Sequence, residues 1–352
     1  MKNQNNQENK IKFYKKSIIE NSVNVFLLLI PFIILLFSMF VGRYSISPDI
    51  IIKIFLSKII YIEPTWDPTM ESVIFDVRLP RAIAAMIVGA GLSVSGASFQ
   101  GLFKNPLVSP QILGVSAGAG FGAAIALLLW EKVYIVQLCA FLGGIFAVTF
   151  TYKISKIYKT TPLLMLVLSG MVTAALFSAL TSLIKYVADP WNKLPAIVFW
   201  LMGSFNAVSK RDLVFLGPLI IAGLIVLFLI RWRINVLSLG DEEARSMGVN
   251  TEQLKLIIIL SATVITASCV CISGIIGWVG LIIPHVGRIL VGPDHKKLIP
   301  ASMLLGASYL LFVDDVARSV ISTEIPIGIL TAIIGAPFFA YLIRKSKSGW
   351  NY

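Results

Sequence analysis

Charged side chains are scarce in this chain, and those set in apolar surroundings are where chemistry would be sought. Arg78 and Arg81 open one apolar run, and Asp314, Asp315 and Arg318 close another. Guanidinium and carboxylate groups in such places pair with each other, hydrogen-bond to a neighbouring helix or meet a charged partner, because leaving them alone is costly. Asp315 and Arg318 are three residues apart on one helix face, a spacing that predicts a local ion pair orienting Arg318 outward. For Arg78 and Arg81 the pattern leaves a lipid headgroup or a salt bridge with Asp76 as partners. The parts for catalysis are missing. His285 and His295 stand apart and lack the base, nucleophile or metal-ligand neighbours that a reaction needs, and His285, beside Pro284, reads as a helix-end hydrogen-bonding group. Cys139, Cys269 and Cys271 lie in apolar runs and read as small buried hydrophobes. No Gly-x-x-x-x-Gly-Lys-Ser/Thr loop occurs, so the chain cannot by itself bind ATP in that manner. No metal site and no cofactor are expected.

One stretch, Leu237 to Lys255, looks soluble between two apolar blocks. Asp241, Glu242 and Glu243 place negative charge at a helix N-terminus, where the backbone dipole favours it, and Gly248 can take the left-handed conformation that ends a helix. Asn250 with Gln253 has the spacing of a capping box, so a second helix starts at once. The residues predict two short helices, either a docking surface or an ordinary solvated loop.

These groups must be positioned by membrane helices. The chain has 352 residues, 57% hydrophobic against 14% charged, with a mean hydropathy of +0.85. Uncharged runs at 21–42, 82–103, 105–130, 133–152, 160–184, 213–230, 256–287, 298–313 and 325–343 each suit a spanning helix, which needs about 20 apolar residues. The net charge of +12 has to be sorted by side of the membrane, and no base-stacking aromatics interleave with the arginines, so nucleic acid is not an expected partner. Lys2, Lys10, Lys12, Lys15 and Lys16 predict a cytoplasmic N-terminus, and Gly42 to Asp76 an external loop with one short surface helix. Two choices keep the basic clusters Arg231–Arg233, His295–Lys297 and Arg344–Lys347 on one side. Leu194 to Val208 is an external or half-buried helix, and 256–287 crosses twice, broken around Gly274, Gly277 and Gly280. The expectation is an all-α polytopic protein of about ten transmembrane helices with both termini cytoplasmic. Residues 1–21 form a cytoplasmic tail, 22–345 a single transmembrane domain and 346–352 a second tail.

Several stretches are similar to the FecCD/BtuC-like permease family of ABC importers, which take up iron–siderophore complexes, haem and cobalamin. They are Arg78-Leu-Pro-Arg81 with the small-residue run to Gln100, Asn105-Pro-Leu-Val-Ser-Pro-Gln-Ile-Leu-Gly114, and Trp200-Leu-Met-Gly-Ser204. Leu237 to Val249, Gly274 to Arg288, Asp314 to Arg318, Glu324 to Gly328 and Gly335-Ala-Pro337 complete the match.

The resemblance implies a type II ABC importer permease fold in the cell membrane and a transport subunit that is not an enzyme. Its partners would be cytoplasmic ABC ATPase subunits, an extracellular or periplasmic substrate-binding protein, a second permease subunit and membrane lipid. Leu239, Gly240, Asp241, Glu242, Ala244, Arg245, Met247 and Gly248 would couple to the ATPase, and Arg78, Arg81 and Arg318 would meet carboxylates of the binding protein. Thr161, Ser169, Gly170, Thr173, Thr331 and Gly335 would line the path. An iron chelate, iron–siderophore first and haem or cobalamin as alternatives, is the implied cargo. The competing class, an ion-coupled secondary transporter, needs carboxylates near the bilayer midplane, whereas Asp314 and Asp315 lie near an outer end.

Overall fold

The structure, a computed structural model, describes residues 23, 25–130, 132–156, 162–321 and 323–346. The tail expected at 1–21, the tail expected at 346–352 apart from Ser346, which ends a helix, and Thr161 lie outside them. Chain order is α1 (Val25–Phe40), α2 (Pro48–Ser57), α3 (Leu79–Phe103), α4 (Val115–Leu129), α5 (Val133–Ser155), α6 (Leu163–Val187) and α7 (Lys193–Met202). There follow α8 (Lys210–Leu229), α9 (Arg231–Leu239), α10 (Asp241–Ser246), α11 (Thr251–Ser273), α12 (Val279–Val291), α13 (His295–Ser319) and α14 (Ile327–Ser346). Of these, α3, α5, α6, α8, α11 and α13 are long and apolar enough to cross a bilayer unaided; α1, α4, α12 and α14 are shorter apolar helices, as is the ten-residue α7, and without α7 the described residues hold ten membrane helices.

Where the chain breaks follows from local chemistry. Gly274, at φ 66°, ends α11, and the chain stays unwound to Trp278 before α12, so 256–287 crosses as two helices. α7 lies against the bundle as a short helix, with Ile197 buried and Phe199 65% exposed. The 42–76 segment is more helical than expected. Asp67 accepts a hydrogen bond from the Thr69 N–H at 2.7 Å with Pro68 at the first helical position, and the helix begun there runs through a π-turn at Val73–Arg78 into α3. Pro68 starts a helix here, because its missing N–H is not needed in the first turn.

α3 is the central helix, buried along nearly all its length. It packs on α13 where Gly89 meets Gly306 and on α12 where Gly96 meets Gly280. A Cβ on Gly89 would stand 2.1 Å from the Gly306 carbonyl oxygen, and one on Gly96 would stand 1.9 Å from that of Gly280. Such contact is how helices associate in lipid, where no hydrophobic drive separates helix from solvent. α4 and α5 meet the same way through Gly118 and Gly143. The bundle thus has two ends, one bearing α2 and α7 and the other bearing α9 and α10.

Candidate coupling surface and ion cluster

At the α10 end, Gly240 joins α9 to α10 at φ 151°, and three acids follow in the first turn of α10. Gly248 takes φ 79° just past the helix, and the Asn250 side chain accepts a hydrogen bond from the Gln253 N–H at 3.1 Å. The second helix is therefore not short. It is the start of the long α11, while Leu237 to Leu239 belong to α9.

The expected coupling residues divide by direction. Leu239, Glu242, Arg245, Met247 and Gly248 are exposed, with Leu239 at 63% and Met247 at 56%. Ala244 and Gly240 are buried and seat the element, and Asp241 pairs with the buried Lys255 of α11, which also reaches Glu252. Arg245 donates to the Thr251 hydroxyl at 3.1 Å. Two large apolar side chains bared on a rigid, charged element are what a protein partner would cover.

Behind this element Asn235 of α9 holds the first turn of α13. Its amide nitrogen donates to Asp294 Oδ1 at 2.6 Å, and its Oδ1 accepts from the His295 N–H at 2.8 Å and lies 2.9 Å from His295 Nδ1. Burial alone would raise the Asp294 carboxyl, but the Lys296 N–H and the Asn235 amide hold it below its usual value.

At the opposite end the arginines expected to face outward all turn inward. Arg81 is 6% exposed and its fork is filled: Nε and Nη2 donate to Asp314 at 2.8–3.1 Å, and Nη1 donates to Glu324 at 2.9 Å. Arg318 is 6% exposed and is bound by Asp315 and Ser38. The local pair with Asp315 forms as the spacing predicts, but it draws Arg318 into the protein, because Ser38 of α1 donates to the same carboxylate at 2.7 Å and accepts the guanidinium through its main-chain oxygen at 2.8 Å. Arg78, at 3%, donates to the carbonyls of Met39 and Tyr44 and does not pair with Asp76, which takes Lys210 at 2.6 Å. Neither a lipid headgroup nor a local acid was the answer, since the partners come from helices distant in sequence.

The expected path residues are likewise turned away from open space in the single chain. Ser169, Gly170 and Thr173 pack on the segment before α4, where a Cβ on Gly170 would lie 2.1 Å from the Ile112 carbonyl oxygen, and the Thr173 hydroxyl donates to Ser169. Thr331 donates to the Gly328 carbonyl, and Gly335 lies against the Trp278 ring. The outward faces carry other residues, Leu168, Met171, Val172 and Leu176 on α6 and Ile333 and Ile334 on α14. Ser38, Asn235 and Asp294 take part in these contacts although residue patterns did not single them out, and Glu324, noted only within the Glu324–Gly328 stretch, joins the ion cluster; a lone serine in an apolar run and an asparagine among arginines carry little signal. Among the described residues no group of three or more His, Cys, Asp or Glu is placed to hold a metal.

Comparison with known proteins gives a consistent answer. The chain is 46% identical over 313 residues to the molybdate import system permease protein MolB of Haemophilus influenzae, covering 89% of this chain and 92% of that one. It is 41% identical over 281 residues to a Helicobacter pylori protein named as a probable iron chelatin transport system permease, covering 79% and 84%. A solved structure described as an inward-facing conformation of a metal-chelate type ABC transporter superposes with a TM-score of 0.83 at 43% identity, covering 92% of this chain and 99% of that one. The family model described as the FecCD transport family matches residues 28–345, and the chain belongs to that family.

Proposed function

We propose that the chain is the membrane-spanning subunit of an ATP-driven importer, that ATPase subunits dock on α10, and that a binding protein delivers cargo at the α2 end. The observation that carries the reading is the exposed Leu239 and Met247 on a capped, acidic element anchored to two membrane helices. Both termini are cytoplasmic in this reading, on the α10 side, and a reporter fused after Lys347 and found outside would overturn that orientation.

Replacing Leu239 and Met247 together by alanine is the test. Both side chains are exposed, so the fold should persist while ATPase association weakens about 30-fold, as expected for two truncated apolar anchors. Unchanged co-purification of the ATPase subunits would sink the docking site. A second permease subunit would sit on the exposed faces of α6 and α14, with the path between the copies.

A binding protein that meets Arg78, Arg81 and Arg318 must bring carboxylates that replace their present partners. Glu324, on the loop before α14, is the most exposed of the acids in the cluster, its side chain 17% open against 0% for Asp314. In that case docking and loosening of the loop into α14 are one event. The cargo proposed is a metal complex carried whole, an iron chelate first. Molybdate is the second reading, favoured by the 46% identical relative. Uptake of a ferric siderophore and of molybdate into proteoliposomes holding the complete complex separates them.

A further inference from the structure

We infer that Asn235 is the positioning residue through which motion of α10 reaches α13, and that α13 carries this motion to the ion cluster at the other end; this rests on the ATP-driven reading above. Asn235 lies on α9, five residues before the Gly240 joint. Both polar atoms of its side chain are spent on one target, the first turn of α13, through Asp294 Oδ1 and the backbone and ring nitrogens of His295. The same spot is closed by α3. A Cβ on Gly101 would stand 2.6 Å from His295 Nε2 and 2.6 Å from Ile234, so α9 cannot swing without carrying the start of α13 or parting from it.

α13 is suited to carry the displacement onward. It runs unbroken from His295 to Ser319 and is gripped by α3 at Gly306. From His295 to Asp314 it reaches roughly 28 Å at about 1.5 Å per residue. There Asp314 holds Arg81, which holds Glu324 on the loop leading into α14. One side chain near the coupling surface and one carboxylate at the far end thus bracket a single helix. The ion pair of Lys255 with Asp241 ties α10 to α11 by a separate route.

The experiment compares the unaltered complex with Asn235→Ala and with the exchanged pair Asn235→Asp with Asp294→Asn, which reverses donor and acceptor while keeping the contact. Each is reconstituted with ATPase subunits and binding protein, offered molybdate and a ferric siderophore, and scored for cargo taken up per ATP hydrolysed. In Asn235→Ala, ATPase co-purification and hydrolysis should stay within about twofold while uptake per ATP falls about fivefold or more, the scale of losing one hydrogen bond to a carboxylate and one to a backbone N–H. The exchanged pair should recover most of it. An unchanged ratio in Asn235→Ala, or a loss of uptake and hydrolysis in equal proportion, overturns the inference and leaves the importer reading standing. Failure of ATPase subunits to co-purify with the unaltered chain would overturn both. Should Asn235→Ala fail to accumulate, Asn235→Ser takes its place with the same readout.

Discussion

Replacing Arg81 by alanine is expected to destabilise the folded chain by about 3–5 kcal/mol, the usual cost of stranding a buried charge. Asp314 is 0% exposed and loses three hydrogen bonds from the guanidinium, and Glu324 loses its ion pair. What remains for Asp314 is Arg318, whose Nε lies 4.0 Å away, and that neighbour is already engaged by Asp315 and Ser38. The loss belongs near the lower end of the range, because Arg318 supplies some compensating field. The pair is out of solvent, so the defect should be nearly independent of salt, unlike that of an exposed ion pair. The companion Arg81→Met with Asp314→Leu should cost much less than the sum of the single changes, since both charges leave together. Thermal inactivation of the detergent-solubilised chain measures all three. A single Arg81→Ala as stable as the unaltered chain would mean that the cluster does not hold the helices together.

Gly96→Ala should be comparably severe at a site with no charge at all. The new methyl would have to occupy space 1.9 Å from the Gly280 carbonyl oxygen and 2.7 Å from its Cα. Both obstacles are backbone, so no rotamer change relieves them, and α3 and α12 must separate along the contact. Overpacking of a core by a methylene typically costs about 1–3 kcal/mol, and a backbone obstacle places this change at or above the top of that range. Gly217→Ala in α8 is the control. Nothing lies within 4 Å of its would-be Cβ, and alanine is the better helix former, so it should be neutral or stabilising by up to about 1 kcal/mol. Equal melting behaviour for the two variants would contradict the close approach of α3 and α12.

Much of the fold was legible because it rests on neighbours in sequence. The caps of α10 and α11 are set by Gly248 and Asn250, each acting within a few residues, and the double crossing of 256–287 follows from glycines that release the backbone at Gly274. The apolar runs map onto the ten membrane helices because hydropathy is a property of one segment against lipid. Direction around a helix was not legible in the same way. Ser169, Gly170 and Thr173, which the family resemblance implies for the path, are buried within the single chain, as small and weakly polar residues between helices in lipid are, and the large apolar ones face out.

By itself the sequence determined the class of the molecule, the number of crossings, the place and capping of the charged element before α11 and the family whose motifs it bears. Only the tertiary structure decided whom the charges serve. Arg81 finds Asp314 at a separation of 233 residues and Arg318 finds Ser38 at 280, so no local spacing could name those partners. Which helices become neighbours depends on glycine contacts such as Gly89 with Gly306 and Gly96 with Gly280, which let backbones meet and bring distant charges within bonding distance. Once α1, α3 and α13 are brought together, burial makes pairing obligatory, and arginines that seemed poised for an outside partner close the protein on itself.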